Sequence, residues 1–204
     1  MKSLAVLIFP GFQTLDLFGP LEMLGSMRND IEITIVAETL DAVPSVHGQR
    51  LCVDKTLNDG TDYDLLFIPG GDSALDAAKK SNIAQWIVQT TDRAELVMTV
   101  CTGSILLATT GVLDGHRATT NKIDFSDTIH LGPKVDWVKK ARWVEDGKFF
   151  TSSGVSAGID MALAVLAHLF GPEVAVDMAE GSEYEWHDDP DWDPFAARAG
   201  LVTD

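Results

Sequence analysis

The sequence predicts an α/β fold, a mostly parallel central sheet with helices on both faces. Short, continuous apolar and β-branched runs recur along its 204 residues, and helical patterns fall between them. Continuous runs, rather than alternating ones, are what strands buried on both faces require. No internal repeat, linker or low-complexity tract breaks the alternation, so residues 1–204 read as a single domain.

The first run is LAVLIF (4–9), ended by Pro10-Gly11. No small-residue cleavage site follows it, so it reads as a core strand and not as a signal peptide. TLDLFGPLEMLGSM (14–27) supplies a helical pattern interrupted at Gly19-Pro20. IEITIV (31–36) and DLLFIP (64–69) are the next buried strands. SNIAQWIVQTTDR (81–93) has helical spacing with Ser81 as its N-cap. ELVMTV (95–100) is the fourth strand, and CTGSILLATTGVL (101–113) is the helix behind it. Residues 116–150 read as a small antiparallel excursion built from HRATT and ARWVEDGKFF, with a turn at Asp146-Gly147. KFFTSS (148–153) is a weaker strand, and SAGIDMALAVLAHLFGP (156–172) is a long helix stopped by Gly171 and Pro172.

Net charge is −16, from 31 acids against 15 bases. Nucleic acid and anionic membrane both need a positive surface, so neither is expected as a partner. No apolar run is long enough to span a bilayer. Two cysteines, Cys52 and Cys101, form no disulfide framework and no zinc spacing, which fits a reducing, cytoplasmic setting. The acids crowd into EGSEYEWHDDPDWDPF (180–195), which has no lysine or arginine. His187, Asp188, Asp189, Asp191 and Asp193 share no ligand spacing, so the segment reads as a solvated acidic loop and no metal is expected. Its Tyr184, Trp186, Trp192 and Phe195 imply that its backbone packs onto the body.

In open α/β sheets, sites form at the carboxyl ends of strands. Three strand ends carry chemistry here: Asp16 beyond Pro10-Gly11, Pro69-Gly70-Gly71, and Cys101. A cysteine at a strand-to-helix turn faces unpaired N–H groups and the positive end of the helix dipole, which favours the thiolate. Thr102 and Gly103 open that helix, and Gly103 gives room for the tight turn. The alternative is a buried structural cysteine. Cys52, inside QRLCVDKT with no turn or helix behind it, reads as packing. Asp16 lies among Leu15, Leu17 and Phe18, a poor place for a solvated acid, so it is expected to have a partner. Glu22 either solvates its helix or plays a secondary part at the site. A carboxyl beside Cys101 would share one proton with it, and the two would titrate as a unit.

Taken together, DLFGPLEML, IPGG, TVCTGSILLATTGVLDGHRATT and FTSSGVSAGIDMAL resemble the DJ-1/PfpI superfamily, over about residues 3–195. The resemblance implies a flavodoxin-like sandwich, a homodimer and no cofactor. It makes Cys101 the nucleophile and Asp16 its acid/base partner. Thr102 would supply an N–H, and the backbone of Gly70 and Gly71 would complete an oxyanion-type pocket. Cys-Thr-Gly with an aspartate at the first acid position is most similar to isocyanide hydratases. Where many hydratase-like relatives have histidine, this chain has Asn121, and His47, His116, His130, His168 and His187 match no catalytic position. His168, late in an apolar helix, reads as a packed, hydrogen-bonded side chain.

The resemblance therefore implies a lyase that adds water to a small electrophile, an isocyanide giving an N-substituted formamide. A glyoxalase-like 2-oxoaldehyde hydratase and a cysteine redox sensor are the alternatives. Peptidase chemistry lacks its proton-shuttling histidine. A transcription regulator is the weakest class, because the charge repels DNA and no helix-turn-helix module is expected.

Overall fold

The computed structural model describes residues 1–203. In its first half the chain runs through β1 (Lys2–Leu7), α1 (Thr14–Gly25), β2 (Ile31–Ala37), β3 (Val43–Pro44), β4 (Arg50–Leu51), β5 (Lys55–Thr56), β6 (Leu65–Ile68), α2 (Ala74–Ala78), α3 (Ser81–Arg93) and β7 (Leu96–Val100). It continues through α4 (Gly103–Thr110), β8 (Arg117–Ala118), α5 (Phe125–Ile129), β9 (Asp136–Trp137), β10 (Trp143–Asp146), β11 (Phe149–Ser152), α6 (Ala157–Phe170), α7 (Pro172–Gly181) and α8 (Phe195–Arg198).

The main sheet has the order β10-β11-β7-β6-β1-β2-β5. All its pairings are parallel except the β10–β11 hairpin at one edge. Leu4 of β1 sits between Ile33 of β2 and Leu65 of β6, and every residue of β6 and β7 is buried. That is why those runs read as uninterrupted apolar sequence. Helix α6 packs on both α1 and α7, and α2, α3 and α4 form a second group. After β1 the chain builds outward through β2 and β5, then restarts at β6 and builds the other way. Such a switch point opens a crevice at the carboxyl ends of β1 and β6. The first turn of α1, with Asp16, and the loops carrying Gly70 and Cys101 converge there.

Several elements differ from the sequence expectation. Gly19-Pro20 does not interrupt α1, which runs through both residues. Pro20 has no N–H to give, but close packing on α6 holds the helix together. A Cβ on Gly19 would lie 2.7 Å from Ile159 Cγ1, so only glycine allows that approach. Ser81 is the first residue of α3 and not its cap, which is Lys80. The 116–150 region is not one antiparallel excursion: β8 pairs β9 in parallel, whereas β10–β11 extends the main sheet. Helix α7 has no counterpart in the expectation, since Gly171-Pro172 reads as a stop while Pro172 also starts the next helix.

The acidic segment does pack onto the body, but it is not uniformly solvated. Tyr184 Oη and the His187 N–H donate to Asp160 Oδ1, at 2.9 and 3.1 Å, and Trp186 Nε1 donates to the Asp160 carbonyl. Asp193 is buried and pairs with buried Lys122 at 3.4 Å. Cys52 is exposed, so it does not serve as core packing. The short β4 ends at Leu51 and leaves its side chain outside. His168 is also exposed, with Nδ1 at 3.2 Å from Glu145 Oε1 and its ring edge-on to Phe150. Among the described residues no helix is long and apolar enough to cross a membrane.

Candidate active site

Cys101 occupies the turn between β7 and α4 with φ at +56°. Non-glycine residues rarely adopt that left-handed conformation, and here it is held by bonds on both sides. The Cys101 N–H donates to the Ser153 carbonyl at 3.0 Å. Its own carbonyl accepts from Thr120 Oγ1 at 3.0 Å and from Ser104 Oγ at 3.1 Å. The backbone is thereby pinned with the thiol directed at the crevice. Gly103 starts α4 against the carbonyls of Ile68 and Pro69, where a side chain has no room.

Three donors meet the sulfur. Asn121 Nδ2 lies 3.1 Å from Sγ, and the backbone N–H groups of Thr102 and Val155 also point at it. Asn121 is held in turn, because its Oδ1 accepts from the N–H groups of Ile123 and Asp124. Val155 has φ at +40°, a strained conformation for a β-branched residue, and this turns its N–H toward Cys101.

Asp16, in the first turn of α1, is 0% exposed. The start of α1 is tied to the loop after β6 by the Gln13 N–H, which donates to the Gly70 carbonyl at 2.8 Å. The Gly70 N–H donates back to Asp16 Oδ2 at 3.1 Å. A Cβ on Gly70 would lie 2.8 Å from that oxygen and 2.7 Å from the Thr102 nitrogen, so this crossing admits only glycine. Asp16 Oδ1 has no fixed hydrogen bond, and the carboxyl faces the Cys101 thiol.

The electrostatics follow from burial. Desolvation raises the Asp16 carboxyl to about 7, against the opposing pull of the Gly70 N–H and the Cys101 thiol. Burial, then the Asp16 charge, pushes the Cys101 thiol up to about 12, although Asn121, Thr102 and Val155 all pull it down. The expected lowering by the helix terminus is therefore outweighed. Above about pH 7 the pair keeps one proton between its two groups, and below that pH it takes up a second.

Gly70 and Gly71 do not aim their N–H groups at the sulfur. One holds Asp16, and the other donates to Thr102 Oγ1 at 3.0 Å. Thr102 Oγ1 returns a bond to the Gly71 carbonyl at 3.2 Å, which locks the two loops together. Donors to the sulfur come from Thr102, Val155 and Asn121 instead. Glu22 is exposed and lines a groove beside α7, away from the thiol.

A cleft of about 600 Å³ opens over Cys101, Thr102, Asn121 and Val155. None of its lining residues is His, Lys or Arg, while Asp72, Asp124 and Asp127 form an acidic rim. Burial first, then the charges of Asp127 and Asp72, raise the Asp124 carboxyl, so the three lie within Coulombic reach of one another.

Residues 2–168 match the DJ-1/PfpI family. The chain belongs to the DJ-1/PfpI family. It is 34% identical over 175 residues to an isonitrile hydratase of Pseudomonas putida, covering 85% of this chain and 74% of that protein. The HTH-type transcriptional regulator CdhR of Pseudomonas aeruginosa is 28% identical over 85% of this chain, which spans only 52% of the regulator. A THiJ/PfpI family protein from Pseudomonas syringae has the same fold, with TM-score 0.84 and 31% identity over 98% of this chain and 84% of that one. A cysteine-to-alanine mutant of a DJ-1 superfamily protein from Salmonella typhimurium matches with TM-score 0.80 and 27% identity, over 91% and 100% of the two chains.

Within this DJ-1/PfpI site the sequence reading misses Val155 and the acidic rim. Val155 sits in FTSSGVSAGIDMAL, but no local signal announces its positive φ. The rim comes from Asp72, after the Gly-Gly turn, and from Asp124 and Asp127, at the start of α5. Only the fold brings them together.

The raised Asp16 pKa has a consequence for stability. Asp16 binds its proton more tightly when folded, so its contribution falls as pH climbs from about 4 to about 7. Asp16→Asn removes that penalty. The variant is expected to exceed wild type in urea-unfolding free energy at pH 8 by on the order of 4 kcal/mol, and to match it near pH 4. Equal stability differences at both pH values would contradict the assignment.

Proposed function

We propose that the protein is a cofactor-independent hydratase that adds water to an isocyanide, R–N≡C, and releases an N-substituted formamide. One observation carries this reading: the Cys101 thiol lines a cleft with no histidine among its lining residues, and the buried Asp16 carboxyl faces that thiol from behind. Hydration of an isocyanide expels no amine, so no third group has to protonate a leaving nitrogen. The 34% identity to an isonitrile hydratase supports the same choice.

The steps balance on two side chains. The Asp16 carboxylate takes the Cys101 proton as sulfur bonds to the terminal carbon, then gives that proton to the same carbon. The product is a thioimidate, R–N=CH–S. Asp16 next takes a proton from water as the oxygen adds to that carbon, and returns it to nitrogen. The tetrahedral adduct loses its hydroxyl proton to Asp16 and expels the sulfur as a thiolate. That thiolate is met by the Asn121, Thr102 and Val155 donors until Asp16 reprotonates it. One water is consumed, and formamide leaves.

The acidic rim narrows the substrate. Asp72, Asp124 and Asp127 make no ion pair among the described residues, so the mouth presents a negative field. Such a mouth repels carboxylate-bearing molecules and admits neutral or cationic ones. In the same reading the enzyme is a cytoplasmic homodimer. The exposed free thiol of Cys52 fits a reducing compartment, and the family resemblance supports the dimer.

A 2-oxoaldehyde hydratase is the second reading. It is favoured by an Asp16 pKa of about 7, which suits a proton shuttle between two carbons. A redox sensor fits less well, because oxidation-prone thiols are exposed and acidic.

The test is hydration of an aryl isocyanide by wild type, Cys101→Ala and Asp16→Asn, with methylglyoxal as the competing substrate. Wild type is expected to turn over the isocyanide. Asp16→Asn should lose about 10²–10⁴-fold in kcat/KM, and Cys101→Ala all detectable turnover. Turnover of methylglyoxal alone would overturn the isocyanide reading in favour of the second. An isocyanide bearing a carboxylate is expected to react about tenfold slower than its methyl ester at low salt, and equally fast after neutralisation of the rim aspartates.

A further inference from the structure

Among the described residues, four buried charged side chains take no part in these steps: Lys122, Asp193, Arg142 and Asp160. All of them tie the segment between α7 and α8 to the loops that surround Cys101. Lys122 directly follows Asn121 in the chain. Its ammonium donates to Thr119 Oγ1 at 2.6 Å and pairs with Asp193 Oδ2 at 3.4 Å. Asp193 is otherwise fully used: Oδ2 also accepts from the Ala141 N–H, and Oδ1 accepts from the Phe195 and Ala196 N–H groups that start α8. On the other side of the sulfur, Arg142 Nε donates to Asp160 Oδ2 at 2.7 Å, and Nη2 reaches Ser156 Oγ, next to Val155, at 3.3 Å. The Arg142 carbonyl accepts from the N–H of Ser153, whose own carbonyl holds the Cys101 N–H. Trp192 covers the Arg142 guanidinium at 5.6 Å and stacks on His187 at 4.1 Å.

A buried ion pair contributes little net stability against a well-packed apolar pair, but it fixes geometry and resists displacement. Here Lys122 is the chain neighbour of Asn121, and Arg142 hydrogen-bonds Ser156, the chain neighbour of Val155, so the two pairs flank two of the three donors to the sulfur. We propose that residues 184–193 form a positioning strap for Cys101, anchored at Asp193, which holds Lys122 and thereby keeps the Asn121 amide on the sulfur. Asp193 is a positioning residue: it does not line the cleft and acts only through Lys122 and Asn121. Asp16 is the titratable group beside the sulfur, and the strap leaves it untouched. The proposal stands apart from the choice of substrate, because the reactivity of the thiol can be read with any small electrophile.

The experiment follows alkylation of Cys101 by iodoacetamide across pH in the full chain, on a Cys52→Ser background. Asp193→Asn, which keeps shape and removes the charge, is expected to slow alkylation at a fixed pH about three- to tenfold and to move the profile to higher pH. On an Asn121→Ala background the same substitution should add nothing, because the donor it positions is gone. A purely structural role would lower the melting temperature and leave the profile of the folded protein alone. An unchanged profile, or an equal slowing without Asn121, would overturn the proposal. Should Asp193→Asn fail to fold, Trp192→Ala loosens the strap without stranding a buried charge. The same slowing is expected from it, and the same two results would count against the strap.

Discussion

Asp16 is a carboxyl shut away from water with a single backbone donor, the Gly70 N–H, and one oxygen without a fixed partner. Left ionised in that position it is costly, and the chain answers the cost with a proton. Among the described residues, the group beside it that can share that proton is the Cys101 thiol. From this constraint the rest of the crevice follows. The loop after β6 has to be bare backbone, because a side chain at Gly70 would collide with both the carboxylate and Thr102. The elbow has to hold Cys101 at positive φ, because only that turn places the sulfur against the carboxyl with donors on its other flanks.

The donor set also explains why the site can work without a histidine. Asn121, Thr102 and Val155 give N–H groups to the sulfur and take no proton from it. In the proposed hydration proton movement falls to Asp16, whose raised pKa suits accepting and returning a proton near neutrality. A thiol raised by burial is a weak nucleophile at rest. In the proposed chemistry it becomes a strong one when its proton moves across to the carboxyl as the new bond forms. On that proposal reactivity is tied to a substrate within reach.

Much of this is legible in the sequence. The parallel sheet shows in uninterrupted apolar runs, because burial on both faces leaves no alternation to read. Cys101 shows because a cysteine between a strand and Thr-Gly-Ser is placed by strictly local geometry. Asp16 shows because an acid among leucines needs a partner. Asn121, which the resemblance draws to the site, lies against the sulfur. What stays hidden depends on distant contacts. The positive φ of Val155 has no signal in its own sequence, and the direction of the thiol pKa is set by how much protein covers it. In the sequence, buried Asp193 looks like the other acids of its stretch, and only the fold brings Lys122, from far earlier in the chain, against it.

The most direct measurement is the ionisation of Asp16 itself, followed by the carbon-13 shift of its carboxyl and assigned by difference against Asp16→Asn. A midpoint near pH 7 in wild type is expected if burial beside Cys101 holds the proton on this pair. A midpoint in the ordinary carboxylate range, near about pH 4, would contradict the shared proton and with it the two-residue chemistry built on it.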